Sequence, residues 1–216
     1  MTSPSGPSQP YPAPGYPPEP WSLRGRMRIG VWLVPVRDLP ALPPELAGAA
    51  RLCRLGNRAL VGAAWVEYEP GSVLVYRELL AAVLQRAGPR PRVTILNIWV
   101  DSVPSRDGGR AFWGIPKDLA RFDFVGSEVV AELDGGLLAR ATVRPGIRLP
   151  GRWPVGFRLV QALHGKPKTS RVRATARLAL GRAQWTVPAD GPLRYLAGRR
   201  PLLSVTASDF RMTFGA

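Results

Sequence analysis

Hydrophobic and polar positions alternate in short runs along most of this chain. Arg24, Arg26 and Arg28 alternate with Leu23, Met27 and Ile29 and lead into IGVWLVPV, which predicts a strand that Pro35 would confine to an edge or a bulge. Further runs predict strands in 58–69, 72–84, 91–102, 123–134, 137–145, 171–180, 183–188 and 202–214. Asp134-Gly135-Gly136 supplies a hairpin turn. In RVRATARLAL, Arg171, Arg173, Thr175 and Arg177 form one face, and Val172, Ala174, Ala176 and Leu178 form the other. Residues 43–55, with prolines at their start and Leu46, Ala49, Ala50, Leu52 and Cys53 at helical spacing, predict a short helix. The pattern is mainly β: a bent antiparallel sheet or barrel with a few short helices.

Composition marks off the ends. Eight of the 24 prolines lie in residues 1–20, which read as a disordered, Pro-rich arm, leaving 21–216 as a single domain. The single Cys53 allows no internal disulfide. Together with the single His164, it also argues against metal clusters, so no metal and no cofactor are expected. Phosphate-binding Gly loops and serine nucleophile elbows are absent from the sequence. Without a leader-like start or a bilayer-length apolar run, a reduced, cytoplasmic setting is expected, with no membrane partner.

The net charge of +15 is unevenly placed. Residues 1–139 carry 15 basic and 13 acidic side chains, whereas 140–216 carry 15 and 2. Such a basic third suits an anionic metabolite, coenzyme A or an acidic acyl carrier protein. Nucleic acid is disfavoured because no recognition motif accompanies the charge. Of the 30 basic residues only Lys117, Lys166 and Lys168 are lysines. Arginine stays protonated, whereas lysine can become a nucleophilic amine. Lys166 and Lys168 sit beside His164 in a polar stretch that reads as a solvated loop.

Lys117 lies among Phe112, Trp113, Ile115, Pro116 and Leu119. Burial there would lower its pKa and favour a neutral amine able to form a Schiff base with a carbonyl. The plainer alternative is a stem packed on Trp113 with its head in water.

The segment GGRAFWGIPKDLARFDF resembles the signature of the acetoacetate decarboxylase family, a Gly-Arg-Glu followed by Tyr-Pro-Lys-Lys-Leu. Gly109, Arg110, Pro116, Lys117 and Leu119 match it. The resemblance implies a family-type barrel in which Lys117 is the Schiff-base residue. Tyr76-Arg77-Glu78 resembles the family's Tyr-x-Glu and implies that Glu78 is the active-site acid, with Tyr76 and Trp113 contacting substrate. A first-strand arginine that holds the substrate carboxylate corresponds to Arg28, with Arg24 and Arg26 sharing its face. The sequence departs from the family at Ala111, for the Glu, and at Asp118, for the second lysine. On an extended strand Asp118 would point away from Lys117.

The resemblance implies a lyase acting on a keto acid or β-keto acyl compound, in a homo-oligomer. The alternatives are a natural-product aldolase, dehydratase or cyclase acting on a polyketide-like substrate, and a non-catalytic barrel that binds an anion or carrier protein.

Overall fold

The computed structural model describes residues 15–48, 50–88 and 90–215. Among these are one α-helix and thirteen strands. They are β1 (Trp21–Pro35), β2 (Arg51–Leu52), β3 (Arg54–Leu55), β4 (Arg58–Tyr68), β5 (Tyr76–Ala87), β6 (Arg90–Val100), β7 (Lys117–Leu119), β8 (Arg121–Val125), β9 (Glu128–Leu133), β10 (Gly136–Arg148), β11 (Trp153–Leu163), β12 (Lys166–Thr186) and β13 (Leu203–Phe214). Helix α1 (Val103–Trp113) lies between β6 and β7.

The hydrogen-bonded path runs β11-β6-β5-β4-β1-β13-β12, and β12 also pairs with β11, so seven strands close into a ring. From β12 the path continues through β10 and β9 to β8. The side chains of these last strands, among them Val129, Ala131, Leu138 and Val143, join Trp32, Trp65 and Leu79 in one core. Inside the ring a second core gathers Trp21, Leu23, Trp113 and Phe210. Strands β4 and β5 are therefore buried on both faces.

The sheet is mixed rather than wholly antiparallel, because β6 pairs in parallel with both β7 and β11. Parallel neighbours need a long crossover, and α1 provides the one between β6 and β7. Ser102 caps that helix by accepting the Ser105 N–H, and Gly114 ends it in the left-handed region.

Strand β1 is an interior strand, flanked by β4 and β13. The β13 ladder stops at Val31, so Pro35 faces β4 alone and deprives no second neighbour of a donor. The predicted helix over 43–55 is replaced by a single 3-10 turn, Pro44–Leu46, followed by β2 and β3. Pairing with β5 and β4 takes up the backbone there, and Cys53 bonds through its amide to Leu84. Asp134 and Gly135 both take positive φ in the expected two-residue hairpin, and His164-Gly165 makes a second one between β11 and β12. His164 is thus an exposed turn residue, with Lys166 exposed beside it. Alternation in 171–178 holds, with Val172 and Ala176 buried and Arg171, Arg173 and Arg177 exposed.

Of the Pro-rich arm, residues 1–14 lie outside the described residues. The remainder packs on the domain: Pro17 accepts the Trp21 indole N–H, Glu19 accepts that of Trp113, and Tyr16 meets Phe112 edge-on.

Gly114 fixes how the chain leaves α1 for β7. Its φ is 64°, and an added Cβ would stand 2.2 Å from the Ala162 carbonyl oxygen. Gly135 shares a positive φ of 80° but has open space around its Cβ position. Gly114→Ala is therefore expected to lower stability by well over ~1 kcal/mol and by more than Gly135→Ala does, read from urea-unfolding midpoints.

Candidate active site

Tyr76 and Glu78 stand two apart on β5 and therefore project to the same side, into the ring. Antiparallel register sets Tyr68 of β4 opposite Tyr76, with ring centroids 4.3 Å apart. The Tyr68 hydroxyl donates to Glu78 Oε1 at 3.0 Å. Lys117 arrives from β7, whose parallel pairing sets it against Ile98 of β6. Its Nζ lies 3.0 Å from Glu78 Oε2, donates to Ser105 Oγ at 2.9 Å and reaches Tyr76 Oη at 3.3 Å. Ser105 and Tyr76 thus accept hydrogen bonds from the ammonium, and the Glu78 carboxylate stands beside it as an ion pair. Both charged side chains are almost wholly buried, at 4% and 3% exposure.

The glycines and arginine of the lysine motif have structural work here. Gly109 leaves room for the Lys117 stem, since an added Cβ would lie 2.9 Å from Lys117 Cδ. Gly108 does the same for the ring of Trp21. Arg110 donates through Nε to the Lys117 carbonyl at 2.6 Å and pairs with Asp118 at 3.7 Å. Asp118 is exposed and faces away from Nζ, as strand alternation predicts, and Ala111 is exposed as well. Neither departure from the family signature touches the buried pair.

Burial alone would lower the pKa of Lys117, as the sequence suggested. The neighbouring Glu78 carboxylate, with a smaller contribution from Tyr76, outweighs it, and the lysine pKa is raised above its ordinary value. The resting nitrogen is an ammonium. The phenols of Tyr68 and Tyr76 are also pushed up, chiefly by burial, so both remain hydrogen-bond donors.

These groups line the wall of a cavity of about 400 Å³. Trp113 belongs to that wall, edge-on to Trp21 and with its indole N–H bound to Glu19, so it offers the cavity an apolar surface. The first-strand arginines are placed elsewhere. The β1 residues on the cavity are Trp21, Leu23, Met27, Ile29 and Val31. Arg28, one step out of phase, donates to the Gly126 carbonyl and lies over the Phe124 ring on the opposite face. Arg26 pairs with Glu67 and Glu69, and the Arg24 side chain passes over Gly71. Lys117, Glu78, Tyr76 and Trp113 are brought together, and Arg28 is not.

Sequence reasoning did not find Tyr68 or Ser105. Tyr68 depends on the β4–β5 register. Ser105 depends on α1, whose Ser102, Pro104 and Gly114 signals are visible in the sequence but are masked by two glycines in its middle.

No helix among the described residues is long and apolar enough to cross a membrane, and no cluster of potential metal ligands occurs among them. The profile of the acetoacetate decarboxylase (ADC) family matches residues 1–177. Among curated protein sequences none matches this chain. Solved structures with a similar fold include an acetoacetate decarboxylase from Legionella pneumophila. It is 19% identical, with 97% of this chain and 90% of that one covered and a TM-score of 0.66. The enduracididine biosynthesis enzyme MppR is similar at 18% identity, 100% and 94% coverage and a TM-score of 0.63. An acetoacetate decarboxylase-like enzyme from Sphingomonas wittichii RW1 follows at 19% identity, 91% coverage of each chain and a TM-score of 0.56. With the family profile matched over residues 1–177 and a fold shared with these structures, the chain belongs to the acetoacetate decarboxylase family of enzymes.

Proposed function

We propose that the cavity is an imine-forming site in which Lys117 is the nucleophile and Glu78 the proton carrier for a carbonyl substrate. The observation that carries this reading is the 3.0 Å contact between Lys117 Nζ and Glu78 Oε2 on the cavity wall. Proton transfer along that contact converts ammonium and carboxylate into amine and carboxylic acid, both neutral and both tolerable in an apolar site. The amine attacks the carbonyl carbon and the oxygen takes a proton from nitrogen, giving a carbinolamine. Glu78 then returns its proton to the departing hydroxyl. Water leaves, and an iminium beside a carboxylate remains. Tyr68 holds Oε1 of Glu78, while Tyr76 and Ser105 hold Nζ, so the pair is pre-oriented.

From the iminium, an enamine forms by loss of carbon dioxide from a β-carboxylate or by transfer of an α-proton to Glu78. The first route is decarboxylation, and the second opens aldol, dehydration and cyclisation chemistry. The similar fold of an acetoacetate decarboxylase supports the first route, and the structure of MppR with the condensation product of pyruvate and imidazole 4-carboxaldehyde supports the second. The exposed Arg171, Arg173 and Arg177 on the outer face of β12 favour a second, compatible reading, in which an acidic carrier protein or coenzyme A delivers the acyl group.

Borohydride reduction during incubation with small carbonyl compounds is expected to add one reduced adduct, mapped to Lys117 by peptide mass and absent from Lys117→Met. An adduct confined to Lys166 or Lys168 would contradict the assignment.

Breaking the same pair costs stability even though the intact pair adds little. Removing one buried partner strands the other, so Lys117→Met is expected to cost roughly 3–5 kcal/mol. The double variant Lys117→Met with Glu78→Gln, which leaves no charge behind, should lie closer to the parent in chemical denaturation. Because the folded pKa of Lys117 is raised, its stabilisation is complete below the ordinary lysine value and is lost as pH rises through the folded one. The stability gap between parent and double variant should therefore drift in favour of the variant in strong alkali.

A further inference from the structure

We infer that the substrate of this site is a neutral carbonyl compound carrying an extended apolar chain, bound without a counter-ion for a carboxylate; this rests on the imine reading above. Charge balance is the first argument. Among the described residues lining the cavity, Lys117 is the one cation and Glu78 the one anion, and no arginine or histidine joins them. A neutral ketone preserves that balance, since ammonium and carboxylate become iminium and carboxylate. A keto acid would place two carboxylates against one cation in a site with little water, and Glu78 would have to take up a further proton for it to enter.

Shape is the second argument. The polar atoms are gathered at one end, where β5 contributes Tyr76 and Glu78. Further along, the same strand contributes Leu80, Ala82 and Leu84. Glu78 to Leu84 is a run of roughly 20 Å along a strand. An irregularity in the β5–β6 ladder breaks the alternation of β6, so that Ile98, Ile95 and Val93 all face the same cavity. Val155 lines it as well and is 41% exposed, which marks an open end remote from the lysine. The outcome is a tunnel, polar at its lysine end and apolar over the rest, within the ~300–1,000 Å³ of pockets that enclose larger ligands. A small keto acid would leave most of that surface unfilled.

The test uses the wild-type full chain with acetone, heptanone, nonanone and acetoacetate, each titrated under borohydride trapping. Binding is followed in parallel, without reductant, by the fluorescence of Trp21 and Trp113 on the cavity wall. The half-saturating concentration for the Lys117 adduct is expected to fall at least about tenfold from acetone to nonanone, with acetoacetate no better than acetone. Trapping of acetone with no gain from chain length, or acetoacetate trapping at lower concentration than nonanone, would overturn the inference and leave the imine reading standing. Nonanone binding with no adduct from any ketone would overturn the imine reading and retain the tunnel. Neither binding nor adducts would overturn both.

Discussion

A lysine and a glutamate whose charged atoms lie 3.0 Å apart, each nearly sealed from water, form the interaction around which this barrel is arranged. Desolvating either ion costs several kcal/mol, and their attraction offsets this only when their remaining hydrogen-bonding capacity is also met. Tyr68, Tyr76 and Ser105 meet it for Nζ and for Glu78 Oε1, leaving Oε2 to the ion pair alone, and they come from a neighbouring strand, the same strand as Glu78 and the helix preceding Lys117. The arrangement is a weak contributor to net stability and a strong one to position. In the proposed chemistry it lets a proton pass between two atoms 3.0 Å apart without net charge entering or leaving an apolar space.

The crossover through α1 is what makes that position available. A strand that simply followed β6 by a hairpin would run antiparallel to it, whereas the helix returns the chain so that β7 lies parallel to β6. Gly108 and Gly109 let the helix approach Trp21 and the lysine stem closely, and Arg110 ties its last turn to the backbone of Lys117. What reads in the sequence as a catalytic signature is largely the set of contacts that hold one ammonium in place.

Most strands were legible in the sequence because their alternation survives burial on one face. Residues 171–178 are the clearest case, with arginines outside and small apolar residues lining the tunnel. The helix expected in 43–55 failed because pairing with β4 and β5 overrode a weak local periodicity. Helix α1 went unseen because glycines, needed for packing, carry a poor helix propensity. Lys117, Glu78, Tyr76 and Trp113 were singled out through the resemblance to the family signature, and the structure sets all four on the wall of one cavity. Arg28 was misplaced for a physical reason: alternation along β1 puts it out of phase with Met27 and Ile29, a relation visible in the sequence itself. Register between β4 and β5, which brings Tyr68 to Glu78, is weakly marked in the sequence because strands buried on both faces lack the one-sided alternation that pins a register.

The most direct test of the central claim follows from the chain's having only three lysines. Protein grown with lysine labelled with carbon-13 at Cε gives three resonances, assigned by substitution, whose shifts report the charge of each ammonium through a pH titration. The Lys117 signal is expected to stay in its ammonium position above the ordinary lysine range in the parent, and to lose it at much lower pH in Glu78→Gln, where burial acts without the carboxylate. A Lys117 signal that titrates in the ordinary range in both proteins would mean that the two groups share no buried contact, and the account built on that contact would fall.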